Sequence, residues 1–101
     1  MVNTINKTRE FDDWLVRLRD QQAQRRIIIR TRRARTGNFG DSHSVGDGVS
    51  EMRIDYGPGY RVYYAQQGDT VYLLLLGGDK RTQQSDIDQA KAIWKAAKEK
   101  I

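Results

Sequence analysis

A chain of 101 residues with 38% apolar and 31% charged side chains carries material for one hydrophobic core, so residues 1–101 read as one domain rather than two, and not as a solvated tail. It lacks cysteine and has one histidine, which excludes disulfides, thiolate metal sites and multi-histidine sites. Its longest apolar run, 71–76, is far short of a membrane span and no secretory leader opens it, so a cytoplasmic protein with no metal, small-molecule cofactor or membrane partner is expected. The net charge of +5 is local: Arg25, Arg26, Arg30, Arg32, Arg33 and Arg35 stand together with no acid among them, and taking these six from the 18 cations leaves twelve against 13 acids. Such a patch suits a polyanion or an acidic protein, against the plainer reading of a solvated helix face.

In chain order, residues 2–5 suggest a short edge strand. Residues 8–18 suit a helix, with Phe11, Trp14, Leu15 and Leu18 on one stripe, Thr8 as N-cap and Glu10, Asp12 and Asp13 in the first turns. Residues 20–36 suit a second helix, capped by Asp20 and ended by Gly37. Ala23, Ile27, Thr31 and Ala34 share its inner face, flanked by the arginines, while Ile29 points outward and marks a possible partner surface. Residues 37–48 hold four glycines and read as a loop without regular structure, pinned to the core by Phe39 and Val45. His43 lies in that loop, where it is either solvated or recruited for acid–base work.

Three strands follow, at 50–56, 60–66 and 70–76. Side chains switch faces at every strand residue. A three-residue turn at Gly57-Pro58-Gly59 pairs Tyr56 with Tyr60, Ile54 with Val62 and Met52 with Tyr64 on a core face. The same register pairs Asp55 with Arg61 and Arg53 with Tyr63 on an outer face. Residues 71–76 are apolar on both faces and read as a central strand. They run into Gly77-Gly78-Asp79-Lys80-Arg81, which places Lys80 and Arg81 at the strand's end. Residues 85–101 suit a third helix, capped by Ser85 with Asp88, carrying the stripe Ile87, Ala90, Trp94, Ala97 and Ile101 beside Ile93.

No metal-ligand spacing, phosphate loop, dinucleotide fingerprint or nucleophile elbow occurs. What remains is a cationic, aromatic sheet surface. Arginines contact phosphate, and bases stack on tyrosine or guanidinium planes. Cutting RNA without a metal needs a base for the 2′-hydroxyl, an acid for the 5′-oxygen and cations for the phosphorane. Arginines fill the last role, and His43, Tyr60 or Tyr63 would have to supply the base. From the residues alone, a binding module, a nuclease and a plain charged surface stay open.

Four segments carry a resemblance: Gly37-Asn38-Phe39-Gly40-Asp41, the run from Val45 to Ile54, Gly57-Pro58-Gly59-Tyr60-Arg61-Val62-Tyr63-Tyr64, and Leu75-Leu76-Gly77-Gly78-Asp79-Lys80-Arg81-Thr82-Gln83. Together, and in this order over nearly the whole chain, they resemble the addiction-module killer proteins, the HigB-like branch of the RelE/ParE toxin superfamily. The resemblance implies an α+β, RelE-like fold: N-terminal helices packed on a twisted antiparallel sheet of three to four strands, plus a C-terminal helix. It implies a toxin neutralised by a cognate antitoxin, often a helix-turn-helix protein, and in many members cleavage of mRNA on the ribosome; ParE-like relatives poison DNA gyrase instead. A catalytically weak module kept for antitoxin binding is a third outcome. Carried over by position, Arg61 matches the central arginine of the Gly-Tyr-Arg strand, Arg53 the neighbouring basic strand position, and Lys80 and Arg81 the basic pair after the last strand. Arg53, Arg61, Lys80 and His43 are thus the catalytic candidates, and Arg81, Tyr60, Tyr63 and Gln83 the RNA-binding ones. The chain departs from the pattern at Ile87, where RelE-type enzymes hold a catalytic tyrosine, so the base must come from elsewhere: His43, Tyr63 or Gln83.

Overall fold

The double-sided apolar pattern of residues 71–76 requires helices on both faces of the sheet, and the chain provides them. In the computed structural model, which describes residues 2–100, five strands run β1 (Thr4–Lys7), β2 (Ser42–Gly46), β3 (Val49–Ile54), β4 (Tyr60–Gly68) and β5 (Val71–Asp79). Three helices accompany them: α1 (Arg9–Arg17), α2 (Gln21–Arg33) and α3 (Gln83–Glu99). The strand order is β1-β5-β4-β3-β2, with β1 parallel to β5 and every other pair antiparallel. The fold is therefore α+β with a mixed five-stranded sheet, where the sequence suggested an antiparallel sheet of three to four strands. No described helix is long and apolar enough to cross a membrane.

The helix caps are local and follow the sequence. Thr8 accepts a hydrogen bond from Phe11 N at 3.0 Å and donates its hydroxyl to Leu75 O at 2.7 Å, tying the start of α1 to β5. Asp20 accepts from Gln22 N and Ala23 N. A 3₁₀ turn, Ala34–Thr36, extends α2 to Gly37, whose φ of +86° supplies the left-handed stop. α3 begins two residues before the expected Ser85: Asp79 accepts from Arg81 N and shapes the 3₁₀ turn Lys80–Thr82, which leads directly into α3. Ile101 lies outside the described residues.

One face of the sheet buries Met52, Ile54, Tyr60, Val62 and Tyr64 against Phe11, Ala23 and Ile27 of α1 and α2. The other buries Val49, Tyr63, Ala65, Leu73 and Leu75 against Ala90 and Trp94 of α3. The expected open outer face is thus a second core over part of its length. The hairpin register also differs: Ile54 pairs Tyr60, Arg53 pairs Arg61 and Met52 pairs Val62, so the turn is the five residues 55–59, not three. The expected Tyr56–Tyr60, Asp55–Arg61 and Arg53–Tyr63 pairings do not form. A slip of two residues keeps every side chain on its face, so periodicity leaves it undetermined. The turn decides it: Gly57 and Gly59 both take positive φ, and Gly59 N closes on Tyr56 O. Residues 42–46 form a strand where a loop was expected. Gly37 and Gly40 precede that strand, Gly46 ends it and Gly48 follows it, and Gly46, Asp47 and Gly48, all at positive φ, build the β2–β3 turn.

Gly77 and Gly78 let both layers approach the end of β5. A Cβ on Gly77 would stand 2.1 Å from the Trp14 ring, and one on Gly78 1.9 Å from Asp86 Oδ2. Gly77→Ala is expected to cost about 1–3 kcal/mol through overpacking against Trp14, a fall of roughly 4–8 °C in Tm per kcal/mol in a domain of this size. Thermal unfolding followed by circular dichroism measures it, and an unchanged Tm would mean that Trp14 moves aside freely.

Candidate functional site

Strand parity sets two adjacent rows of polar side chains on the α3 side of the sheet. In one, His43 of β2, Glu51 of β3 and Tyr63 of β4 stand directly opposite one another; in the next, Arg53 of β3, Arg61 of β4 and Gly78 of β5 do so. Glu51 is the hub and its side chain is fully buried. Its Oε1 accepts from Arg53 Nε at 3.2 Å and lies 3.3 Å from His43 Nε2. Its Oε2 accepts from Gln83 Nε2 at 2.9 Å and faces Arg61 Nε at 3.7 Å. His43 Nε2 also lies 3.4 Å from Arg53 Nη2, and the imidazole is 42% exposed, so it joins the buried hub to solvent.

Burial alone would raise the Glu51 pKa. Hydrogen bonds from Gln83 and Arg53, with the charges of Arg61 and His43, outweigh it and hold the carboxyl below its ordinary value. Tyr63 moves the other way, since burial and the Glu51 charge both push its pKa up. It stays a phenol at neutral pH and is no proton acceptor. Among the described residues, Arg61 Nε and the Tyr63 hydroxyl are buried polar atoms without a hydrogen-bond partner, and both belong to this cluster. Arg61 Nη1 donates to Gly59 O at 2.7 Å, which fixes the guanidinium against the turn. Asp86 closes the second row over Gly78. Burial raises its pKa, partly offset by a 2.6 Å hydrogen bond from Thr82.

The structure brings together His43, Arg53, Arg61, Tyr63 and Gln83. It separates Tyr60, which is buried on the opposite face with its ring edge against Trp14, 6.2 Å between centroids. Neither Tyr60 nor Tyr63 is open to stack on a base, because each lies inside one of the two cores. Lys80 is exposed, and its Cβ stands beside Gly59 on the same side as Arg61. Arg81 folds back onto Asp79, Nη2 to Oδ2 at 2.9 Å, and so holds the turn before α3. Ile87 is half-buried against the α3 core. Glu51 carries no motif and reads in the sequence as one polar position alternating with Met52 and Ile54. Its parity with Arg53 is the signal that places it among the cations. Among the described residues no three His, Asp or Glu side chains converge as a metal-ligand set.

No family model matches the chain. A curated protein of Haemophilus influenzae (strain Rd), named only as an uncharacterized protein, is 48% identical over 93 residues, covering 92% of this chain and 94% of the relative. The chain belongs to the same family as that Haemophilus protein. The alignment takes in nearly all of both chains, so the two share a whole domain and not a local motif.

The depressed Glu51 pKa has a stability consequence of definite sign. Its contribution is complete above the unfolded carboxyl value, ordinarily 4.5, and is lost as pH falls through the lower folded value. Glu51→Gln removes the charged acceptor and is expected to cost about 1.5–3 kcal/mol at neutral pH. The gap to the wild type should shrink on acidification below the unfolded value. Urea midpoints measured across that range test it, and a gap that stays constant would remove the charge from the account.

Proposed function

We propose that the chain is the toxin of a type II toxin–antitoxin module with a RelE-like fold, acting in the cytoplasm as a ribosome-dependent, metal-independent mRNA endonuclease. The observation that supports this reading is the convergence of His43, Arg53, Arg61 and Gln83 on the buried Glu51 carboxylate. It couples a proton-transfer group to phosphate-binding cations, which is what cleavage by the 2′-hydroxyl requires. In this reading His43 takes the 2′-hydroxyl proton as that oxygen attacks the adjacent phosphorus, and Glu51, 3.3 Å from His43 Nε2, orients the imidazole. Arg53, whose side chain is 45% exposed, meets the scissile phosphate. Arg61 lies deeper, adds positive charge at short range and keeps Glu51 ionised. Lys80 binds a neighbouring phosphate. The 5′-oxygen leaves with a proton from solvent or from an arginine. The partners of this reading are ribosome-bound mRNA and a cognate antitoxin of the helix-turn-helix type.

His43 is half-exposed and one of four partners of Glu51, so His43→Ala should lower Tm only modestly while lowering cleavage about 10²- to 10⁴-fold, the usual range for loss of a general acid–base group. Arg53→Ala should relieve growth inhibition to a similar degree. Primer extension on ribosomes programmed with mRNA reads the cut ends directly. No new ends on adding the wild-type protein would sink the nuclease reading, and inhibition of gyrase supercoiling in the same preparation would move the target to DNA gyrase.

A further inference from the structure

The arginines of α2 play no part in the Glu51 cluster, which lies across the sheet. Among the described residues none of the six between positions 25 and 35 enters a salt bridge. Four of them, Arg25, Arg26, Arg30 and Arg33, line a groove of about 540 Å³ between α2 and the end of β3. Ile29 and Ile54 also line it, and Ile29 is 47% exposed, one of few large apolar side chains so placed.

Two of these arginines are held in place. Arg30 donates to the backbone oxygens of Arg53 and Phe39, and burial lowers its pKa. Arg26 lies over the Tyr56 ring, 4.5 Å from its centroid, and Tyr56 in turn donates to Gln22. The walls are thus pre-formed, which reduces the ordering cost of binding. Arg25 and Arg33 stay exposed on the rim.

We propose that this groove docks an acidic, amphipathic segment of a protein partner, whose apolar side chains seat on Ile29 while its carboxylates pair with Arg25 and Arg33. Two features favour a protein over a nucleic acid strand. The floor is aliphatic and offers no aromatic face for a base among its lining residues. Asp55 places a carboxylate in the same groove, which repels a continuous phosphate backbone but suits the mixed rim of a protein interface. The proposal does not rest on the nuclease reading.

The probe is a helical glutamate-rich peptide with leucines at heptad spacing, compared with an all-glutamate peptide and a short oligouridylate, by fluorescence anisotropy at physiological salt. The leucine-bearing peptide should bind at least tenfold more tightly than the all-glutamate one. Arg25→Glu with Arg33→Glu should weaken it at least tenfold, and Ile29→Ser should erase the advantage of the leucines. All three positions are solvent-facing, and circular dichroism verifies that each variant folds. His43→Ala and Arg53→Ala should bind the peptide like the wild type, so failure of the nuclease reading and failure of this one are distinguishable. Peptide-induced amide shifts should fall on residues 25–33. Binding indifferent to the leucines or to the α2 substitutions, shifts confined to β3 and β4, or oligouridylate binding that Arg25→Glu with Arg33→Glu abolishes would each overturn the proposal.

Discussion

A buried carboxylate sets the terms for the rest of this molecule. Removing a charge such as that of Glu51 from water costs several kcal/mol unless cations and donors replace the solvent. Here the replacements come from four separate elements: His43 from β2, Arg53 from β3 itself, Arg61 from β4 and Gln83 from the first residue of α3. None of these elements can shift by a residue without leaving the charge unmatched. The cluster therefore fixes strand register and the seat of α3 together, a constraint that nonpolar packing enforces less strictly, since aliphatic side chains tolerate a slip that keeps them on their face.

The α3 side of the sheet divides into two halves by the same logic. Towards Val49 and Ala65 it is closed by Ala90 and Trp94; towards Arg53, Arg61 and Gly78 it meets the start of α3, where Gln83 and Asp86 face it. One helix thus serves as core along its length and as polar cover at its start. The two arginine populations differ in the same way. Those on β3 and β4 are spent against Glu51, while among the described residues those on α2 have no acid in ion-pair contact. The chain's positive excess is consequently displayed on the face opposite the polar cluster.

Most of this architecture is legible in the sequence because it follows periodicity. The three helices, the caps Thr8 and Asp20, the Gly37 stop and the double-sided character of residues 71–76 all appear where local pattern places them. What escapes is whatever depends on distant partners. The 42–46 strand is short, polar and bounded by glycine, and only pairing with β3 makes it a strand. The slip of two in the β3–β4 hairpin is invisible to a pattern of period two. The burial of Tyr63 and Arg61 follows from α3 lying on their face, which nothing in residues 60–66 announces. Glu51 is the instructive case: its parity with Arg53 is plain, but its burial follows from a glutamine 32 positions away.

The parallel pairing of β1 with β5 also dictates an order of assembly. Thr8 reaches Leu75 O across 67 positions, and Thr4 pairs with Val71. The first strand made is therefore among the last to find its place, for its neighbour does not exist until most of the chain has been synthesised. Loop closure of that length is slow compared with hairpin formation, so β2, β3 and β4 can assemble as a meander while β1 waits. During synthesis the edge of β4 that β5 will cover, and β1 itself, are expected to stay unpaired until β5 leaves the ribosome.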